Sequence, residues 1–461
     1  MTTIRVRDAA KVVGGGIIGD ADATFLGGAA DSRIVRPGQL FVALPGERVD
    51  GHAFVESAFA AGATVALVSR PPATVPAGKA AIVVPDSLAA LIALGKWQLT
   101  EHPLRIVAVT GSVGKTTTKD LIAAALSTHF KVLSNEGNLN SEVGLPLTLL
   151  RLEPEHELAV LEMGMRGKGQ IAQLCGIAPP NVAVLTNILE VHLELLGTIE
   201  NIAAAKAELL AALPPDGIAV LNADDPRVRA FAGRYGGMTI LYGTSETADV
   251  MATDILSEPS GSTFSVVVSG ERLAPARTEI PLPVPGKHNV LNAVAAVAVG
   301  LALGVPIERL RDGLENARPS AMRLETFALG NRTIINDAYN ASPASMRAAL
   351  NVLRDLAGGR KVAVLGNMLE LGPLAREWHR DIGAAVAEIG CDVLITVGDL
   401  AAFIADGAMS AGLAADAVTT CSTNQEAIAA LDRLMQEHDT ILIKGSRGMQ
   451  MEDIVAALKK R

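Results

Sequence analysis

One stretch restricts the possible folds of this chain more than any other: Arg105 to Asp120, RIVAVTGSVGKTTTKD. The apolar run Ile106-Val107-Ala108-Val109 leads into Gly111-Ser112-Val113-Gly114-Lys115-Thr116-Thr117, and an apolar helical pattern begins at once. A buried strand, a glycine loop and a helix N-terminus in that order belong to an open parallel sheet covered by helices. The same order makes a phosphate cradle. Successive backbone N–H groups turn inward, the helix dipole favours an anion, and Lys115 reaches the outer phosphates. Thr116 can place its hydroxyl on magnesium. The common P-loop has one more glycine, at the position of Val109, so this loop is a shortened GxxGKT. The bland alternative is an ordinary strand-to-helix turn with a solvated lysine. The flanking strand and helix favour ATP.

A chain of 461 residues is too long for one core and suggests about two to four domains. With 49% apolar residues, each can bury a sizeable core. Aromatics at 3% and a formal net charge of −9 argue against a nucleic-acid surface. Cys175, Cys391 and Cys421 are far apart and without metal-type spacing, which fits a reducing cytosol. No basic segment followed by an apolar run opens the chain, so no signal peptide is read and a cytoplasmic protein is expected. The longest apolar stretch, Val290 to Gly304, is interrupted by Asn292 and too short to span a bilayer. It reads as a buried helix, and no membrane insertion is expected.

The periodicity divides the chain into three α/β domains: 1–100, 101–318 and 319–461. The first is small, with β-branched runs at Leu40–Val42 and Thr64–Val68. In the second, strand-like runs at 106–109, 158–161, 182–185 and 218–221 alternate with helical periodicity at 115–130, 199–213 and 288–303. That rhythm implies a parallel sheet covered on both faces. Between Val250 and Pro285 the pattern turns short and β-rich, as an antiparallel extension would. The third alternates again, with strands at 332–336, 362–365, 393–397 and 440–444 and helices at 345–356, 377–389 and 426–436, a second doubly wound, Rossmann-like unit.

Chemistry-bearing residues cluster at strand ends. Glu162 ends the run Leu158–Leu161 and is placed for magnesium, or is a solvated strand-end glutamate. His192 follows the next strand, as a metal ligand or as a satisfied structural histidine. Lys206 lies on an alanine-rich helix, where a solvated lysine paired with an acidic neighbour is the simplest reading. Asn135, Asn138 and Asn140, in a turn-prone run, can satisfy turns or hold a substrate or phosphate edge. Gly286-Lys287-His288-Asn289 caps the helix that carries Asn292. Asp337, Tyr339 and Asn340 end one strand of the third domain; Lys444, Ser446 and Arg447 end another, offering cations to a carboxylate or phosphate. Such strand ends collect where open α/β sheets bind ligands.

Taken together these residues resemble the Mur ligases, bacterial ATP-dependent amide ligases of cell-wall precursor synthesis. The motifs that carry the resemblance run through all three domains. They include Asp31-Ser32-Arg33, Pro37–Leu44, Asp50-Gly51-His52, Glu162-Met163-Gly164, Asp337–Asn340 and Lys444–Arg447. The resemblance implies ATP on the loop Gly111–Thr117, magnesium on Thr116, Glu162 and His192, and a carbamylated Lys206 as a further magnesium ligand. It makes Lys115, Glu162, His192 and Lys206 the catalytic set. It implies nucleotide contacts from His288, Asn289, Asn292, Arg323 and Asp337, with Ser32 and Arg33 near a uridine-diphosphate sugar. Substrate contacts are expected from Asn138, Asn140, Tyr339, Asn340, Lys444, Ser446 and Arg447.

Within the family the pattern is closest to the member that joins D-alanyl-D-alanine to UDP-N-acetylmuramoyl-tripeptide (UDP-MurNAc-tripeptide), and a monomer is expected. The DNPR motif of the diaminopimelate-adding relative is not found. The chain departs from the family pattern at Leu189, Ser141, Ser342 and Asn367. Two rivals stand beside this reading: a sister Mur-type or folylpolyglutamate-type ligase, and a regulator that binds nucleotide without ligating. The junction Ala317-Arg318-Pro319-Ser320 is the expected hinge between the second and third domains.

Overall fold

The structure, a computed structural model, describes residues 3–46, 49–191, 193–270, 272–318 and 320–460. The continuous apolar runs of the central region are strands because each one feeds two cores. Successive side chains leave a strand on opposite faces. Val107 and Val109 pack in one core with Val160, Val184 and Val220. Ile106 and Ala108 pack in the other with Ala159, Leu161, Ala183 and Leu185. A strand buried on both faces has no polar alternation to show.

The central sheet has nine strands, in the order Ala276–Leu282, Gly261–Val268, Val250–Glu258, Met238–Gly243, Ile218–Asn222, Val182–Leu185, Arg105–Thr110, Leu158–Glu162 and Val132–Ser134. Pairing is parallel from Val132–Ser134 as far as Val250–Glu258, and the last two pairings are antiparallel, as the β-rich stretch suggested. From Arg105–Thr110 the chain first builds the two strands on one side, then crosses to Val182–Leu185 on the other. The carboxyl end of Arg105–Thr110 is thus a topological switch point, where open α/β sheets bind ligands.

The helix expected over 115–130 spans Lys115–Leu126. Ser127 and Thr128 end it by donating their hydroxyls to the carbonyls of Ala123 and Ala125, the local competition that disfavours these residues in helix interiors. The apolar stretch near Val290 is a buried helix, Lys287–Ala302, packed on Lys115–Leu126. Among the described residues no helix is long and apolar enough to cross a membrane.

The first unit is a five-stranded sheet, parallel except at its Gly16–Gly19 edge. Its core is completed from outside: Leu147 and Leu150, at the helix Gly144–Leu149 of the central unit, are buried among Leu40, Leu67, Leu91 and Leu94. The third unit has six strands in the order Glu325–Leu329, Arg332–Asp337, Thr440–Lys444, Lys361–Gly366, Val393–Val397 and Val418–Cys421, all parallel beyond the first pair. Asp337 and Lys444 stand opposite each other in the register of adjacent strands. Two strand ends distant in sequence therefore meet. The proline of the expected hinge, Pro319, lies outside the described residues.

Candidate active site

The glycine loop is built for close approach. A Cβ on Gly111 would lie 1.9 Å from Thr186 Oγ1, and one on Gly114 would lie 2.9 Å from Asn292 Oδ1. Gly114 caps the following helix with φ of 81°, a conformation glycine adopts without strain. The neighbouring strand end fixes the loop: Asn187 accepts from the Val113 amide at 2.9 Å and donates to the Val113 carbonyl at 3.0 Å. Ser112 donates to the Leu189 carbonyl and accepts from the Leu189 amide. The unusual Leu189 acts here through its backbone.

Lys115 donates to the carbonyls of Gly111 and Ser112, at 2.9 and 3.0 Å. Burial holds its pKa below the usual lysine value, Glu162 acts to raise it, and Arg323 lowers it further. Glu162, 2% exposed, accepts from the Thr116 hydroxyl and the Asn140 amide, both at 2.6 Å. Its backbone is gripped by Asn135, which accepts from the Glu162 amide at 2.9 Å and donates to its carbonyl at 3.1 Å. Arg323 donates to Thr116 Oγ1 at 2.9 Å and stacks on the Tyr339 ring at 4.0 Å.

Across from the loop, Lys444 donates to Asp337 and to the Asn340 carbonyl. Ser446, two residues on, donates its amide to the Asn367 carbonyl at 3.0 Å and its hydroxyl to the Ala341 carbonyl at 3.3 Å. Arg447 reaches Glu452. The buried pocket beside Asp337 and Lys444 brings the His288 pKa down to about 4, with burial dominant, Asp337 opposing and Lys444 assisting.

Most of these groups face one cleft of about 920 Å³ between the central and third units. It is lined by residues 112–117, Asn138, Asn140, Glu162, His288, Asn289, Asn292, Arg323, Asp337, Tyr339, Asn340, Lys444, Ser446 and Arg447. Most of the residues expected from sequence are therefore brought together. Gly111 does not line the cleft; its backbone packs close to Thr186, leaving no room for a Cβ. Lys206 does not line the cleft: it is 2% exposed on the helix Ile199–Ala211. The solvated reading of this lysine fails, and among the described residues it makes no ion pair. Burial, with Lys115 adding to it, holds its pKa far below the ordinary lysine value. His192 lies outside the described residues. Ser32 and Arg33 stand apart on the first unit, where Arg33 is exposed and paired with Asp31 at 2.6 Å.

Sequence reasoning missed Asn187 and Thr186 as residues that shape the site. They could be found only once their strand was known to lie beside Arg105–Thr110, with Leu185 opposite Thr110.

Fold and site define a three-domain P-loop enzyme, with its phosphate loop on one sheet and a cationic strand-end cluster facing it from another. The chain belongs to the Mur ligase family. Residues 25–96 match the Mur ligase family catalytic domain, 109–300 the Mur ligase middle domain and 322–447 the Mur ligase glutamate ligase domain. Among full-length relatives, the UDP-N-acetylmuramoyl-tripeptide–D-alanyl-D-alanine ligase of Bacillus subtilis is 41% identical, covering 94% of this chain and 93% of that one. The ligase of the same name from Escherichia coli is 35% identical over 100% and 99%. Of solved structures, MurF from Acinetobacter baumannii is 34% identical with a TM-score of 0.87, covering both chains completely. The MurF ligase of Thermotoga maritima in complex with ADP is 29% identical with a TM-score of 0.79, covering 94% of this chain and 97% of that one.

Proposed function

We infer that this chain is an ATP-dependent ligase that joins D-alanyl-D-alanine to UDP-N-acetylmuramoyl-tripeptide, a step of peptidoglycan synthesis. The observation that carries the reading is the shared cleft, where loop residues 112–117 and Glu162 face Lys444, Arg447 and Tyr339. A carboxylate acylates poorly, so its oxygen attacks the γ-phosphorus of ATP, releasing ADP and leaving an acyl phosphate. The dipeptide amine then attacks the acyl carbon, and phosphate departs with the C–O electron pair. Lys115 and the loop amides offset charge on the moving phosphoryl group. Lys444 and Arg447 supply donors for a carboxylate. No side-chain nucleophile is required.

The residues also fit magnesium. Thr116 Oγ1 and the Glu162 carboxylate are hard oxygen donors 2.6 Å apart on one wall of the cleft. Among the described residues no three His, Cys, Asp or Glu gather into a metal cluster, and Mg²⁺ commonly takes one or two carboxylates plus phosphate oxygens. Thr116, Glu162, His192 and a carbamylated Lys206 would hold the ion, which would neutralise phosphate charge. Burial lowers the Lys206 pKa, favouring the neutral amine that adds carbon dioxide, its nitrogen attacking the carbon with loss of one proton. The modules are 1–100 for the nucleotide-sugar, with Ser32 and Arg33, 101–318 for ATP and 319–461 for the dipeptide. The protein works as a cytoplasmic monomer.

Incubation with ATP, magnesium, UDP-MurNAc-tripeptide and D-Ala-D-Ala, followed by mass spectrometry, tests this. The expected product is the nucleotide pentapeptide. A product with another amino acid, or ATP turnover that needs neither co-substrate, would move the chain to a sister ligase or to a nucleotide-binding regulator.

A further inference from the structure

The segment that joins the central and third units is clamped at both ends, and its clamp touches the phosphate loop's helix. Ser320 donates its amide and its hydroxyl to one carboxylate oxygen of Asp120, at 3.0 and 2.6 Å. Asp120 lies one helical turn beyond Thr116 on Lys115–Leu126, so both residues share a face. Three residues after Ser320, Arg323 reaches back to Thr116 at 2.9 Å. The far end is held by the third unit: the Leu324 amide donates to Asp337 at 3.2 Å, and the Tyr339 amide donates to the Met322 carbonyl at 3.2 Å. Between the clamps, Met322 and Leu324 have φ of 61° and 53°. Left-handed backbone at non-glycine residues persists only where the surroundings impose it.

Asp120 is itself anchored. Its other oxygen pairs with Lys119 at 2.6 Å, and Lys119, 2% exposed, also donates to the Asn135 carbonyl at 2.6 Å. Asn135 is the residue that grips the backbone of Glu162. A continuous set of polar contacts therefore runs from the linker through Asp120, Lys119 and Asn135 to the backbone of Glu162, whose carboxylate accepts from Thr116. Arg323 closes the circuit from the other side, and its Nε is buried with no partner among the described residues.

We propose that the Asp120–Ser320 clasp is a positioning device that holds Arg323 against the phosphate loop before nucleotide arrives. The proposal rests on the ATP-dependent reading of the site. Neither Asp120 nor Ser320 lines the cleft, so the clasp touches no ligand itself and acts by placing Arg323. An anchored linker leaves Arg323 little freedom to lose when it meets phosphate oxygens, and such pre-ordering strengthens binding. Releasing the anchor makes that ordering part of nucleotide binding. The effect belongs in KM for ATP and in nucleotide affinity, not in kcat at saturating ATP.

The test compares wild type, Ser320→Ala, Ser320→Thr, Asp120→Asn and the Asp120→Asn/Ser320→Ala double variant. Binding of a non-hydrolysable ATP analogue is followed by calorimetry, and steady-state KM is measured for each substrate. Ser320→Ala should weaken analogue affinity and raise KM for ATP about tenfold, the usual scale of a hydrogen bond to a charged group. Its kcat, and its KM for the nucleotide-sugar substrate, should stay within about twofold of wild type, below one such bond. Ser320→Thr, which keeps the hydroxyl, should restore affinity. The double variant should bind no worse than the weaker single one, since both substitutions weaken the same Asp120–Ser320 contact. Unchanged analogue affinity in folded Ser320→Ala overturns the clasp, as does a fall in kcat with all KM values unchanged. Wild type that binds nucleotide but ligates nothing would sink the ligase reading while leaving the affinity comparison decisive. Wild type that binds no nucleotide would sink both.

Discussion

At the scale of single residues the site divides charge between groups that burial has pushed away from their ordinary behaviour. Lys115→Ala should lower kcat by about a hundred- to a thousandfold, the usual loss when a preorganised charge-stabilising donor is removed, with the fold intact. Phosphate release in the presence of both co-substrates reads this, and near-normal turnover in a folded variant would refute the loop assignment. Lys206 is a sharper case. Lys206→Ala should be inactive and partly recovered by a small added carboxylate, whereas Lys206→Arg should not recover; a fully active alanine variant would end the carbamate proposal. His288 predicts a pH effect of definite sign. Its pKa falls to about 4 in the folded protein from 6.5 unfolded, so the unfolded chain binds more protons between those values and stability rises with pH. Acidification from about pH 6.5 to 4 should therefore lower the unfolding midpoint less in His288→Gln than in wild type. Much of this site could be read from the sequence because lysine, glutamate and asparagine at strand ends are conspicuous there. The burial of Lys206 could not, because an alanine-rich helix carries no mark of which face it hides.

At the scale of elements, legibility followed how much of a signal is local. The helices and strands read from sequence in the central and third units were visible because each is long enough to carry its own period. Val132–Ser134, Met238–Gly243 and Val418–Cys421 were missed as strands, being short, mixed in polarity or broken by turn residues, and defined by pairing partners far away in sequence. The dependence of one unit on another was equally hidden. In the sequence, Gly144–Leu149 is a short apolar run after an asparagine-rich turn; in the structure its Leu147 sits 4% exposed within the first unit's core. The same helix directly follows the turn that carries Asn138 and Asn140, so docking of the first unit and placement of Asn140 on Glu162 share one element. Leu147→Ala should cost about 2–5 kcal/mol, as buried leucine truncations do. Differential proteolysis should find the loss in the first unit. Equal loosening of all three units would show that Leu147 does not act as a local anchor.

At the scale of the whole molecule the two halves of the chemistry come from different sheets, and their cations are occupied at home. Lys115 donates to its own loop, and Lys444 is engaged by Asp337 and Asn340. What crosses the cleft are lighter contacts: Arg323 to Thr116, and Arg166 to Glu370 at 3.6 Å between exposed side chains. A surface pair of that kind contributes at most about 1 kcal/mol, so it permits rather than enforces an arrangement. An acyl phosphate exposed to water is lost to hydrolysis, and a space of about 920 Å³ must narrow around the substrates to protect it. With Ser320 held by the central unit and Met322 and Leu324 by the third, the rotation has to pass through the short stretch between those contacts. Small-angle scattering should therefore show a smaller radius of gyration when an ATP analogue and the nucleotide-sugar are both present, with less change for either alone. An unchanged radius at saturation would mean that the units already stand at working distance. Protection of the intermediate would then fall to side chains at the cleft mouth rather than to movement of the third unit.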